Sequence, residues 1–364
     1  MHIVILVAAA MRYGLLLTAV HDATTPPAEQ LREHVELVRA AEELGFDVVV
    51  CGQHFLGTEL RYYQPITYLA HMASVAPRMR VATGIILLSM LNPVQVAEDI
   101  ATLDVVTGGR AIFGAAVGYS EREFTAFGVE RRDRVGRFVE ALELIKALWS
   151  GEPVEHNGAF FELGAPVQPS VLPAQRPRPP IWIGGQAAPA VKRAARLADA
   201  WYAPPFPTHE ALRQLHKLFV DERELAGLPP ATEFPVRREL LVAGSKAEAR
   251  RGAAMRSRAR YRTYLEWGLA KGGDLDDSGG GFAEADDAEA EGRFLLGSAQ
   301  DVAEALARLR DETGMTHFIY KPQWPGLPHV EAMRQLEALG MQVMPLLAAG
   351  PPQRQSTTSS SNAG

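Results

Sequence analysis

The sequence predicts a (β/α)8 barrel, the TIM-barrel form of the α/β class, carrying two insertions. Three observations lead there. Eight short apolar runs recur along the chain, and most are followed by a stretch with helical spacing. The 364 residues suffice for one such barrel or for two smaller domains. No Gly-x-Gly-x-x-Gly follows the first strand, which disfavours the runner-up, an open doubly wound sheet.

The elements follow in order. RYGLLLTAV (Arg12–Val20) reads as the first strand. Pro26–Leu44 is a helix with Leu31, Val35 and Val38 on one face and Gly45 as its stop. FDVVVC is the second strand, a helix spans Ile66–Val75, and RVATGIILL (Arg80–Leu88) is the third strand. Asn92-Pro93 starts the next helix, a capping side chain followed by a proline whose missing N–H costs nothing there. Gly108-Gly109 ends that helix, RAIFGA is the fourth strand, and Asp133–Trp149 is helical. PIWIGG is the fifth strand, followed by a helix over Ala187–Leu197. DAWYAPP is the sixth, before a helix over His209–Leu225. VRRELLVAG is the seventh, before a helix over Lys246–Trp267. Thr316–Pro322 is the eighth, with a closing helix over His329–Leu339.

Two stretches break the rhythm. Residues 152–162 look like a hairpin turning at Asn157-Gly158. Residues 268–292 are Gly-rich, acidic and too long for an ordinary connection; they read either as a lid or as disorder. Residues 1–10 are apolar but shorter than a membrane span and lack the basic start of a secretory signal. They are expected to be an extension or a leading strand, with residues 11–350 forming one domain and 351–364 a disordered Ser/Thr-rich tail.

Composition narrows the function. Apolar residues make up 47% and charged ones 22%, with a formal net charge of -6 and both signs interspersed. That leaves no basic footprint for nucleic acid and no polybasic patch for a membrane. The single cysteine, Cys51, cannot form an intramolecular disulfide and fits a cytoplasmic location.

In such a barrel the active site lies at the C-terminal strand ends. Here these are CGQHF, LLSMLN, AAVGYS, IGGQ, YAPPF, VAGS and YKPQWPG. Their histidines and carboxylates do not fall at metal-ligand spacing, so no metal is expected. There is no Gly-x-Ser-x-Gly elbow and no Walker loop. A mouth this apolar, tipped with a few polar groups, suits a bulky cofactor that carries the chemistry. Gly184-Gly185 closes a strand and opens a helix, an arrangement that either holds a phosphate or merely turns the chain.

RVATGIILLSMLNPVQVAEDIATLDVVTGGRAIFGAAVGYSEREFTAFG, PIWIGGQA and the late LLGSAQDVAEAL and QWPGLPH, in that order, resemble the bacterial luciferase-like flavin-dependent monooxygenases. The resemblance runs from about Met11 to Leu347. It implies a (β/α)8 barrel, commonly a homodimer, using reduced FMN or, in a sister branch, a reduced deazaflavin. It places Thr83 and Gly84-Ile85 at a non-prolyl cis peptide beneath the flavin; without it, Thr83-Gly84 reads as a bulge. Ala116 and Val117 fall beside the ring, and Gly118-Tyr119 turn past it. Gly184, Gly185, Gln186 and Ala187 match the phosphate loop. Arg134 or Arg137 supplies a cation to it, unless both are solvated helix arginines.

The resemblance departs at CGQHF. The luciferases have an acidic residue and then a catalytic histidine where this chain has Gly52 and Gln53, so oxidation of a fatty aldehyde with light emission is not expected. Gln53 donates and accepts hydrogen bonds but is no general base. His54 matches the adjacent family histidine, as catalyst or as structural hydrogen bonder. Ser89, Tyr202, Tyr320 and Trp324 are candidate substrate-pocket residues. The implied activity is a two-component monooxygenation: a separate flavin reductase supplies reduced FMN, and O2 oxygenates a neutral apolar or aromatic organic substrate, with specialised metabolism as the setting. The alternatives are hydride transfer from a deazaflavin and a non-catalytic flavin binder.

Overall fold

The computed structural model describes residues 11–18, 25–57, 61–253, 292–324 and 327–349. The N-terminal extension, the acidic loop up to residue 291, residues 254–267 of the expected helix and the tail lie outside them.

The strands are β1 (Arg12–Leu17), β2 (Val48–Cys51), β3 (Arg80–Thr83), β4 (Ile86–Leu87), β5 (Ala111–Ala116), β6 (Ile181–Gly184), β7 (Ala200–Tyr202), β8 (Pro235–Arg237), β9 (Glu239–Val242), β10 (Phe294–Gly297) and β11 (His317–Tyr320). Eight of them form the barrel, all pairs parallel, in the order β7-β6-β5-β3-β2-β1-β11-β8. A parallel bridge between Ala203 and Val236 joins β7 to β8 and completes the ring. All eight expected strands are present, and the (β/α)8 barrel is the fold.

Parallel strands are covered on both faces, so they read as nearly continuous apolar runs. Inward residues Val50, Ala82, Ile112, Trp182 and Ile319 pack in the barrel centre. Their neighbours Val49, Val81, Phe113, Ile183 and Phe318 pack outward beneath the helices. The helices preceding and within the first half are α1 (Pro27–Glu43), α2 (Pro65–Val75), α3 (Pro93–Val106), α4 (Glu121–Ala126) and α5 (Arg134–Leu148). α6 (Ala188–Leu197) and α7 (His209–Leu225) follow. The Asn92 side chain caps α3, accepting from Val94 N–H at 2.9 Å, as its sequence position predicts.

Three departures from the expected elements have physical causes. The third strand stops at Thr83, passes through a cis peptide at Gly84-Ile85, and resumes as β4 against β5. The seventh strand divides at fully buried Arg238: β8 stays in the barrel while β9 leaves to pair with β10. β10 and the helix Ala299–Thr313 were not among the expected elements, although Ser298 and Asp301 form a capping box and Gly314 closes the helix in the left-handed region. The hairpin consists of two isolated antiparallel bridges, Val154–Val167 and Asn157–Glu162. Its turn lies at the expected place around Asn157-Gly158, closed by Gly158 N–H on the Phe161 carbonyl at 2.9 Å, and the Glu140 carboxylate gathers the N–H groups of Ala159, Phe160 and Phe161.

Candidate active site

A cavity of about 470 Å³ opens at the C-terminal ends of the strands. That volume lies within the roughly 300–1,000 Å³ of ordinary ligand sites. Of the residues expected around a flavin, Gly84, Ile85, Ala116, Val117, Gly118, Tyr119, Arg134, Gly184, Gly185, Gln186 and Ala187 all line it. So do Gln53, His54 and Tyr202.

The glycines are small for different reasons. A Cβ on Gly114 would sit 1.8 Å from the Thr83 carbonyl oxygen, so this glycine serves the contact between β3 and β5. Gly118 has φ +75°, and its left-handed conformation turns the chain after β5. At Gly184 the nearest atom to an added Cβ, Ile85 Cδ1, is 3.4 Å away. A methyl there would make ordinary contacts with Ile85 and Ala116, so packing alone does not demand glycine at this cavity-lining position.

The anion end is built by α6. Its N-cap is Ala187, which has no side chain to offer, and Pro189 stands in the first turn. Pro189 has no N–H and Ala190 N–H donates to the Ala187 carbonyl at 2.8 Å, so α6 offers an anion the Ala188 N–H and its positive helix end. Trp201 Nε1 donates to the Gly185 carbonyl at 2.7 Å and fixes the loop from beneath. Arg134 reaches the cavity from the start of α5. Arg193, one turn into α6, joins it and was missed in the sequence, where it reads as an ordinary helix arginine.

Several expected site residues act one layer away from the cavity. The Ser89 hydroxyl donates to the Arg134 carbonyl at 2.7 Å, and Arg137 Nε donates to the Ser89 carbonyl at 2.8 Å. Ser89 is fully buried, and the Arg137 guanidinium lies 4.8 Å from the Phe161 ring. Neither lines the cavity; they hold α5 so that Arg134 does. Thr83 Oγ1 donates to the Gly114 carbonyl and accepts from its N–H, both at 2.8 Å, locking β3 to β5. Tyr320 follows inward Ile319 on β11, so strand alternation turns it outward under the helices. Trp324 packs edge-on against Phe294, at 6.1 Å and 89°, in the small core of β9 and β10.

The polar edge of the cavity is a chain of three groups. Tyr119 Oη lies 3.3 Å from His54 Nε2, and His54 Nδ1 lies 3.1 Å from Glu123 Oε1. Glu123 is buried at 1% exposure and also accepts from the Phe55 N–H at 2.7 Å. A buried carboxylate on one ring nitrogen fixes the tautomer and orientation of the imidazole, so that the other faces Tyr119 and the cavity. Glu123 was missed because the sequence places it in a charged run, Glu121-Arg122-Glu123, that reads as a solvated helix face. Gln53 is held at both ends of its amide. It accepts from Leu87 N–H at 2.8 Å and donates to Gln64 at 2.9 Å. Neighbouring Cys51 is fully enclosed, and burial pushes its thiol up, so it is not a nucleophile at neutral pH. Among the described residues no three His, Cys, Asp or Glu side chains gather as a metal site.

The chain belongs to the luciferase-like monooxygenase family, whose sequence pattern matches residues 11–317. The crystal structure of monooxygenase RslO1 from Streptomyces bottropensis superposes with a TM-score of 0.82 at 25% identity, covering 92% of this chain and 99% of that one. The phthiodiolone/phenolphthiodiolone dimycocerosates ketoreductase of Mycobacterium tuberculosis is 32% identical over 216 residues, covering 52% of this chain and 55% of its own. The oxygenase component of the flavin-dependent trigonelline monooxygenase of Acinetobacter baylyi is 28% identical over 179 residues, covering 48% and 49%. The chain thus spans about half the length of these curated relatives.

Proposed function

We propose that this protein is the oxygenase component of a two-component flavin-dependent monooxygenase that takes reduced FMN from a separate reductase and oxygenates a largely apolar, aromatic substrate. The observation that carries the reading is the cavity itself. Its wall is kept short at Gly184, where the protein would tolerate a methyl, and it runs up to a helix end with no side-chain cap beside Arg134. Family membership and the flavin-dependent relative support the same reading.

In this reading α6, Gly185–Ala187, Arg134 and Arg193 hold the phosphate, with Ser89 and Arg137 as positioning residues behind Arg134. Gly52, Gly84, Ile85, Ala116 and Val117 leave room for the flat ring. The reduced flavin, when bound, supplies the electrons that activate O2. The remaining work falls to the chain. Tyr202, Pro204, Pro205 and Phe206 line the cavity with apolar surface that keeps water out, which preserves a reactive oxygen species for the substrate. Tyr119 and His54, oriented by Glu123, hold a proton at Tyr119 Oη or His54 Nε2 and pass it to or from the reacting oxygen. Gln53 fixes the backbone at Leu87 and carries no proton.

The test is oxygen uptake with a generic flavin reductase across a panel of aromatic compounds, measuring product formed against free peroxide. Substrate-dependent uptake with product supports the reading. Anaerobic titration separates the cofactors: binding of a reduced deazaflavin without binding of reduced FMN refutes it. Ala116→Leu fills the proposed ring slot, and at least a tenfold loss of FMN affinity with an unchanged melting temperature is expected.

A further inference from the structure

From β2 to β6 the cavity lining includes Gly52, Gly84, Ala116, Val117, Gly118 and Gly184 between larger residues such as Ile85 and Tyr119; past β7 and β8 it is made of Tyr202, Pro204, Pro205, Phe206 and Arg237. A flat ring suits the first arc. The second has bulk, and it has hydrogen-bond donors.

Arg237 ends β8 in register with inward Ile319, the same inner layer that holds Tyr202. Its Nη2 meets Glu239 Oε1 at 3.1 Å, and that carboxylate is 1% exposed. A buried carboxylate thus stands against the guanidinium charge. Among the described residues the guanidinium makes no other hydrogen bond, and Nε is buried without a partner. The Tyr202 phenol likewise bonds to no described group. Burial pushes its pKa up to about 12 while nearby Arg237 pulls the other way, so it remains a donor at neutral pH. Arg237 and Tyr202 thus line one corner of the cavity from adjacent strands, and among the described residues nothing accepts from the phenol or from the other terminal guanidinium nitrogen, Nη1.

Building on the flavin reading above, we propose that Arg237 and Tyr202 form the substrate-orienting corner and bind an acceptor oxygen, the carbonyl or phenolic oxygen of an aromatic substrate. A bond from the guanidinium is charge-assisted and directional. Because a buried carboxylate already stands against the guanidinium and the neighbouring lining is apolar, the corner selects an oxygen acceptor on an otherwise apolar molecule. The apolar faces of Phe206, Pro204 and Pro205 hold the rest of it.

The experiment compares 2-naphthol with naphthalene, matched probes differing by one oxygen. Dissociation constants are measured by ligand-observed NMR in the flavin-free protein and with oxidised FMN present, for the wild type, Arg237→Met and Arg237→Lys. Arg237→Lys keeps an ion pair for Glu239 and so keeps the fold, yet removes the second terminal nitrogen and the planar fork. The wild type is expected to prefer 2-naphthol at least tenfold, and both variants to fall within threefold of no preference. Naphthalene and FMN constants should stay within twofold. No preference in the wild type, a preference retained in both variants, or a tenfold loss of FMN affinity in Arg237→Lys overturns the proposal. Failure of the flavin reading is separate: the wild type then binds no FMN, while the flavin-free preference for 2-naphthol remains readable.

Discussion

Gly114→Ala tests the frame on which the site rests. The new methyl would lie 1.8 Å from the Thr83 carbonyl oxygen, 3.0 Å from the Thr83 carbonyl carbon and 3.4 Å from Ile85 Cγ2. Ordinary carbon–oxygen contacts are roughly 3.3–3.6 Å, so β3 and β5 must part by about 1.5 Å at this point. Overpacking of this kind costs roughly 1–3 kcal/mol. The separation also breaks the two Thr83–Gly114 hydrogen bonds, worth about 0.5–1.5 kcal/mol each. The expected loss is therefore about 4 kcal/mol, read as a lower urea midpoint at unchanged slope. Gly184→Ala is the control. Its methyl meets nothing closer than 3.4 Å, so stability should hold within about 0.5 kcal/mol. FMN affinity should fall, because the methyl enters the cavity. Equal losses for the two variants, or none for Gly114→Ala, would refute the assignment of one glycine to strand contact and the other to ligand space.

Two further predictions concern the proton path and pH. Tyr119→Phe and Glu123→Gln should each lower coupled turnover tenfold or more while FMN still binds, and the double variant should lose less than the product of the two; fully multiplicative losses would argue against one connected path. His216 stacks on Phe234 at 3.9 Å, and burial lowers its pKa to about 4. The unfolded chain then binds this proton at higher pH than the folded one, so stability falls as pH drops from about 6.5 toward 4, by up to about 1.4 kcal/mol per pH unit. Denaturation midpoints across that range should be flatter in His216→Phe, and an unchanged slope would contradict the burial argument.

What could be read from the sequence was local and periodic. Eight apolar runs followed by helical patterns are enough to specify a (β/α)8 barrel, because parallel strands must be apolar on both faces and each needs a covering helix. Asn92-Pro93 and Gly108-Gly109 mark a helix start and stop through chemistry confined to a few residues. The strand ends AAVGYS and IGGQ then fall at the cavity because the barrel puts every strand's C-terminus on one face. Most residues of the motif strands reached the cavity, while Thr83, Ser89, Arg137, Tyr320 and Trp324 did not. Their positions along the chain do not reveal which way a side chain points or which carbonyl it meets.

Only the tertiary structure could join Glu123 to His54, since they lie 69 positions apart and the acid sits in a charged run that looks solvated. The same holds for Arg193 and Arg237, which read as ordinary helix and strand-end arginines until the closed barrel turns them toward one cavity. It holds again for the hairpin, where the Glu140 carboxylate captures three backbone N–H groups that no local pattern assigns to it. Periodicity records which face of an element is buried. The pairing of a buried carboxylate, an imidazole and a phenol depends on distances between elements far apart in the chain, and these exist only once the barrel has closed.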